Sequence, residues 1–255
     1  MTKIKLKIKD LLFPGVDIIL RKRIKVAKKY LMSGAIKTLD AGCGNGAFSL
    51  ECYKLGNSVI GIDINTGNIN RSLEYRDYKG IPSSKARFAV FNIYNLLELN
   101  QPFDQILCFE VLEHLLYDKR AIEIFAKLLN SGGILHLGVP NLNCPYHISG
   151  VISQIEDGGH VHRGYTYSIL KEMCINYGLE IIREEAYGGF FTRQIYNISR
   201  QLQNIYSFIF KNSPRSLNIV KDVLIFLCLN PFTYLDNFLK IKIEPMSIYI
   251  IAKKI

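Results

Sequence analysis

With 255 residues, 49% of them apolar and 21% charged, the chain holds enough apolar material for one large α/β domain, which excludes a disordered chain. Lys and Arg outnumber Asp and Glu by 32 to 22, and the formal charge of +10 favours anionic partners such as anionic lipid or phosphorylated intermediates. Six cysteines lie scattered with no CxxC pair and no His/Cys ligand spacing, so they read as reduced cytosolic thiols and no zinc site is expected.

Residues 1–33 read as a basic helical segment, with Lys and Arg recurring from Lys3 to Lys29 against Asp10 and Asp17. Its first dozen residues lack the apolar stretch and small-residue site of a signal peptide. Val16–Met32 has helical apolar spacing and stops near Gly34. A short apolar run, Ile36–Leu39, predicts a buried strand, and Ala47–Leu55 a helix ending at Gly56. Ser58–Ile62, Arg87–Phe91 and Gln105–Phe109 predict three more strands, with a helix over Asn68–Tyr78. A helix over Ala121–Leu129 stops at Ser131-Gly132-Gly133, and Ile134–Val139 follows as a fifth strand closed by Pro140. Leu170–Tyr177 predicts a helix, and Leu179–Arg183 and Ser247–Ala252 two last strands. Strands that are apolar throughout and alternate with helices imply βαβ units in a mainly parallel sheet covered on both faces. No run of 18 apolar residues occurs, and Val223–Leu229 stops at Asn230-Pro231, so no membrane-spanning helix is expected.

Thr38-Leu-Asp-Ala-Gly-Cys-Gly-Asn-Gly46 ends a strand and opens a helix. Gly42, Gly44 and Gly46 permit a tight turn and close approach of backbone to ligand, and a helix N-terminus offers free N–H groups to a carboxylate. Asp40 suits an ammonium group, and a ligand carrying both charges is an amino acid, the moiety in which S-adenosylmethionine ends. Asp63 follows the second strand, where a carboxylate accepts both ribose hydroxyls. The same residues satisfy a dinucleotide fingerprint, Gly42-x-Gly44-x-x-Ala47, so the loop by itself leaves a nicotinamide cofactor open.

The segment Asp40–Gly46 resembles the first motif of class I S-adenosylmethionine-dependent methyltransferases, and Phe103-Asp104…Glu110-Val-Leu-Glu113-His114 resembles the fourth-strand motif of their small-molecule and quinone-type members. Leu128-Leu-Asn-Ser-Gly-Gly133 resembles their fifth-strand motif, and the similarity covers roughly residues 36–185 plus Ile248–Lys254. The resemblance implies a Rossmann-like, seven-stranded, mostly parallel sheet with helices on both faces and an antiparallel last strand. It further implies a single methyltransferase domain over residues 1–255, with a cofactor-binding core at 34–188, an insertion at 189–240 and the final strand in 241–255. S-adenosylmethionine would be held by Asp40, Gly42, Cys43, Gly44, Asn45, Gly46, Asp63, Ile64, Asn92, Ile93 and Glu110. Asn92 stands where the family usually has Asp facing the adenine amino group.

His114, after the fourth strand, and His160 and His162, in a Gly-flanked loop, are the candidate catalytic bases for a hydroxyl acceptor. In related quinone O-methyltransferases the residues matching Glu110, Glu113 and His114 are associated with a divalent metal, whereas here no metal is assigned. The acceptor implied is a small molecule or a glycolipid. Nucleic acid is not expected, because Phe109-Glu-Val-Leu112 occupies the place of the tetrapeptide used for base methylation. The stretch Gly189–Lys240 mixes aromatic and aliphatic residues with Arg193, Arg200, Lys211, Arg215 and Lys221. It could cover the acceptor pocket, pair two copies, or join the basic N-terminus in peripheral contact with the inner face of the cytoplasmic membrane. The oligomeric state stays open. Two further readings are a nicotinamide-dependent oxidoreductase and a catalytically silent protein that binds S-adenosylmethionine.

Overall fold

The computed structural model describes residues 7, 10–12, 15–144, 152–210, 215–239 and 241–255. Lys3, Lys5, Lys9, Lys211, Lys240 and the stretch 145–151 ahead of the two loop histidines lie outside them. Seven strands form one sheet: β1 (Lys37–Ala41), β2 (Ser58–Asp63), β3 (Ala86–Val90), β4 (Phe103–Phe109), β5 (Leu129–Pro140), β6 (Leu179–Tyr187) and β7 (Ser247–Lys254). Their spatial order is β3-β2-β1-β4-β5-β7-β6, parallel from β3 to β5, with β7 antiparallel to both its neighbours. The expected class of sheet is therefore present, its antiparallel strand included.

Helices α1 (Ile18–Ala27), α2 (Ala47–Lys54), α3 (Thr66–Tyr78), α4 (Asp118–Leu128) and α5 (Tyr167–Ile175) cover the sheet. Leu39, Ile106, Phe125, Leu135 and Ile250 pack in the largest apolar cluster, and Phe48, Phe109 and Tyr249 in the second. Two burial environments explain why the strands are apolar throughout rather than alternating. β5 begins five residues before the expected Ile134, because Leu129 pairs with Phe103 ahead of a register shift. Gly132 bends the intervening stretch at φ 76°.

Residues 189–240 hold helices α6 (Phe190–Ile209) and α7 (Arg215–Leu229), then a 3-10 turn over Asn230–Asn237. They dock on α1 through a small cluster of Ile18, Ile195 and Phe226. Asp236 closes the unit by accepting from the amides of Phe191 (2.8 Å) and Thr192 (3.0 Å) at the start of α6. Among the described residues no helix is long and apolar enough to cross a membrane. All six cysteines are free, five of them buried.

Candidate active site

The order of the sheet reverses between β1 and β4, and a ligand crevice forms outside the carboxyl ends of strands at such a point. A cleft of about 1020 Å³ lies there, lined by the ends of β1, β2 and β4 and by α1. Of the residues expected to hold the cofactor, Asp40, Gly42, Cys43, Gly44, Asn45, Asp63, Ile64, Asn92, Ile93 and Glu110 line it, and Gly46 does not. A Cβ on Gly46 would stand 3.1 Å from the Phe88 ring, so that glycine lets α2 start against β3 rather than meeting a ligand. Gly42 is required by space and conformation together: its φ is 76°, and a Cβ there would fall 2.3 Å from Val111 Cγ2.

Four amides of the loop ahead of α2 are engaged within the fold. Gly42 and Cys43 both donate to Ile62 O (2.9 and 2.7 Å), Gly46 donates to Cys43 O, and Gly44 donates to Asp63 Oδ2 at 2.9 Å. Three of these donors tie the loop to β2, and Asn45 and the helix-start residues Ala47 and Phe48 also line the cleft. Asp63 is held by these bonds and by Asn65 N and Asn68 Nδ2. Asp40 is almost fully buried and accepts from Ser49 Oγ at 2.6 Å. Burial pushes its carboxyl up to about 6, with Ser49 pulling the other way and Asp63 adding a smaller rise. Asn92 Oδ1 already accepts from Tyr94 N at 2.9 Å, which leaves one lone pair for an adenine amino group.

Glu110 leaves β4 with φ 54°, a conformation that costs a non-glycine residue on the order of 1–3 kcal/mol. Its Oε1 is 3.2 Å from Arg23 Nη2 and accepts from Tyr187 Oη at 2.9 Å. Arg23 itself lines the cleft and was missed in the sequence, where it is one cation among many in a basic helix. Its guanidinium is held by Glu110 and Tyr187, and Arg71 lines the same cleft, so either can face a carboxylate there.

The three candidate histidines separate. His114 lines the cleft, and its Nδ1 donates to Gly159 O at 2.9 Å, which leaves Nε2 with a lone pair when the ring is neutral. His160 meets it ring edge to ring face, centroids 4.7 Å apart. His162 turns away, its Nε2 2.9 Å from Leu115 O and 3.5 Å from Asp118 Oδ2, so it anchors the loop to the start of α4. The amides of Val161 and His162 also donate to Glu113 O, fixing the loop beside the fourth-strand motif. Gly164 is needed because a Cβ there would lie 2.6 Å from Pro140 O.

No metal was assigned from the sequence, yet Glu113, His114 and His160 bring one ligand atom each within 4.8 Å of one another. Glu110 is not among them, and His160 takes its place. Glu113 is fully buried, and neither carboxylate oxygen has a hydrogen-bond partner among the described residues. Burial first, then the charge of Glu110, pushes its carboxyl well up. An orphaned carboxylate beside two imidazoles is a donor set that fits a divalent cation.

A family pattern described as a methyltransferase domain matches residues 18–184. The rat mitochondrial ubiquinone biosynthesis O-methyltransferase is 27% identical over 130 residues, 51% of this chain and 38% of that protein. The enzyme of that name from Cupriavidus pinatubonensis is 26% identical over 184 residues, covering 69% and 72% of the two chains. The chain thus spans less than half the length of several curated relatives it matches. A methyltransferase structure from Archaeoglobus fulgidus, described as dependent on S-adenosylmethionine, superposes with a TM-score of 0.58 at 21% identity, covering 95% and 96%. The [4+2]-cyclase SpnF superposes at 0.60 with 18% identity, covering 92% and 80%, so the fold alone does not dictate methyl transfer. With the domain pattern matched over residues 18–184 and the glycine loop and acidic residues set at the strand ends, the chain belongs to the class I S-adenosylmethionine-dependent methyltransferase family.

Proposed function

We propose that this protein transfers the methyl group of S-adenosylmethionine to an oxygen of a small-molecule or lipid-linked acceptor. The observation that carries the reading is the meeting of Asp40, Asp63 and Asn92, at the ends of three strands, in one cleft large enough for a cofactor and a second ligand. Asp63 takes the ribose hydroxyls, Ile64 and Ile93 flank the adenine, and Asn92 accepts from its amino group. Asp40 takes the ammonium and Arg23 the carboxylate. The oxygen acceptor follows the named activity of the ubiquinone-type relatives.

The chemistry is an in-line displacement: acceptor oxygen bonds to the methyl carbon as the carbon–sulfur bond breaks, and the protein aligns the three atoms. With no cation bound, the hydroxyl proton goes to His114, which lines the cleft, with His160 packed against its ring. Glu113, His114 and His160 would hold a divalent cation if the protein uses one, and such an ion lowers the pKa of a bound hydroxyl. A glycolipid acceptor would bring the protein to the inner face of the membrane, in contact through residues 189–240 and the basic N-terminus.

Calorimetric titration with S-adenosylmethionine, S-adenosylhomocysteine and NAD tests the cofactor. Binding of the two sulfur nucleotides and not NAD is the expected result, and binding of NAD alone overturns the reading. Absence of turnover on every hydroxylated lipid and quinol tried, with S-adenosylmethionine bound, would favour the silent binding protein.

A further inference from the structure

We propose that the outer edge of α6, α7 and the following 3-10 turn is a docking surface for an anionic lipid bilayer. The proposal rests on the lipid-linked reading of the acceptor for its purpose and on side-chain placement for its argument. On α6, Ile198, Leu202, Ile205 and Ile209 are all exposed, and at 100° per residue they form a stripe about 60° wide. On α7, Leu217, Val220, Leu224 and Leu227 form a second exposed stripe about 80° wide, whereas Phe226 is buried roughly 140° away from its centre.

A helix that is apolar on two opposed faces has only one of them satisfied by the core, so the other needs a second apolar environment. The ends carry the largest exposed rings: Phe208 at the end of α6 is 77% exposed, and Phe238 after the 3-10 turn 80%. Aromatic rings with apolar neighbours, projecting beyond the packed helices, are the groups that enter the boundary between headgroups and acyl chains. Among the described residues no helix is both long and apolar enough to span, which favours an in-plane contact.

Charge decides between a bilayer and a second copy of the chain. Over residues 189–240 the sequence has six cations (Arg193, Arg200, Lys211, Arg215, Lys221, Lys240) against two carboxylates (Asp222, Asp236), although Arg193 is buried and Lys221 pairs with Asp222 at 3.2 Å. A symmetric dimer would set this cationic stretch against itself, and like charges across an interface are repulsive. An anionic surface attracts it, and the net charge of +10 acts in the same direction.

The sequence contains no tryptophan, so Phe208→Trp in the full chain creates a unique fluorescent reporter at an exposed position. Mixed with phosphatidylcholine vesicles containing phosphatidylglycerol, its emission should shift to the blue and the protein should sediment with the vesicles. Binding should weaken by about tenfold in neutral vesicles, and by about tenfold or more in the double variant Phe208→Ser, Phe238→Ser, with S-adenosylmethionine affinity unchanged. No sedimentation with anionic vesicles overturns the proposal, as does undiminished binding of the double variant or a vesicle-independent dimer that buries the reporter. Loss of vesicle binding with cofactor binding intact would sink only this surface. Vesicle binding without cofactor binding would sink only the methyl-transfer reading.

Discussion

Asp40 shows how the site trades stability for binding. Its carboxyl is raised to about 6 by burial, so its stabilising contribution is complete below the unfolded value and is lost as pH rises through 6. At pH 7 the empty protein holds an ionised buried carboxylate at a cost of about 2–3 kcal/mol, and the ammonium of a bound cofactor offsets it. Asp40→Asn should therefore raise the melting temperature of the unliganded protein at pH 7 and weaken S-adenosylmethionine by about tenfold to a hundredfold. For the unsubstituted protein, affinity should decline as pH drops below 6, a dependence absent in the variant. Calorimetry across pH with parallel thermal melts checks both, and an unchanged dissociation constant would remove Asp40 from the site. The loop histidines divide in the same concrete way. His160→Ala should lower turnover while leaving cofactor affinity intact, because His160 faces His114 rather than the nucleotide half of the cleft. His162→Ala should instead lower thermal stability, since His162 bonds Leu115 O. The reverse pattern in turnover and melting assays would exchange the two assignments.

At the scale of elements, the segment from residue 152 to Tyr165 is a strap across the cleft mouth. Glu156 latches it, its Oε1 accepting from Tyr94 Oη at 2.5 Å and from Leu116 N at 2.7 Å. Tyr94 stands in the 3-10 turn Ile93–Leu99 that Asn92 caps, so one carboxylate ties the histidine loop to the turn that follows β3. The bonds are exposed and each is worth about 1 kcal/mol. Glu156→Ala should then speed release of S-adenosylhomocysteine several-fold with little change in melting temperature, and hydrogen exchange at Gly158–His160 should quicken. Unchanged release and exchange would make the latch incidental. The latch was invisible in the sequence, as was the Arg23–Glu110–Tyr187 cluster, because each joins residues that only the tertiary fold brings together. What was legible is local: Asp40, the glycines and Asp63 act within one βαβ unit, whose strand–turn–helix pattern carries them to the cleft. The early start of β5 was hidden because Ser131, Gly132 and Gly133 have the composition of a turn and form the irregular stretch between Leu129, opposite Phe103, and Ile134, opposite Gln105.

Across the whole molecule, a buried polar network joins elements far apart in the chain. His136 on β5 lies 2.6 Å from Tyr249 Oη on β7 and 3.0 Å from Gln105 Oε1 on β4. Gln105 donates on to Thr38 Oγ1, which donates to Asn57, and Asn57 donates to the carbonyls of Met32 and Gly34. Since the Gln105 oxygen can only accept, Nε2 carries the hydrogen, and in the neutral ring Nδ1 accepts from the tyrosine. Burial moves its titration down to about 3. The folded value is depressed, so the stabilisation it gives is full above about 6.5 and fades as pH falls toward 3, a loss on the order of a few kcal/mol. Asp40 acts in the opposite sense between 6 and 4, which masks part of that loss in the intact protein. The two can be separated: His136→Gln should flatten the decline of unfolding free energy from pH 6.5 to 4, whereas Asp40→Asn should steepen it. Urea denaturation of the three proteins at several pH values gives the slopes directly. A His136→Gln slope equal to that of the unsubstituted protein would mean that acid reaches the fold through its surface carboxylates rather than through this network.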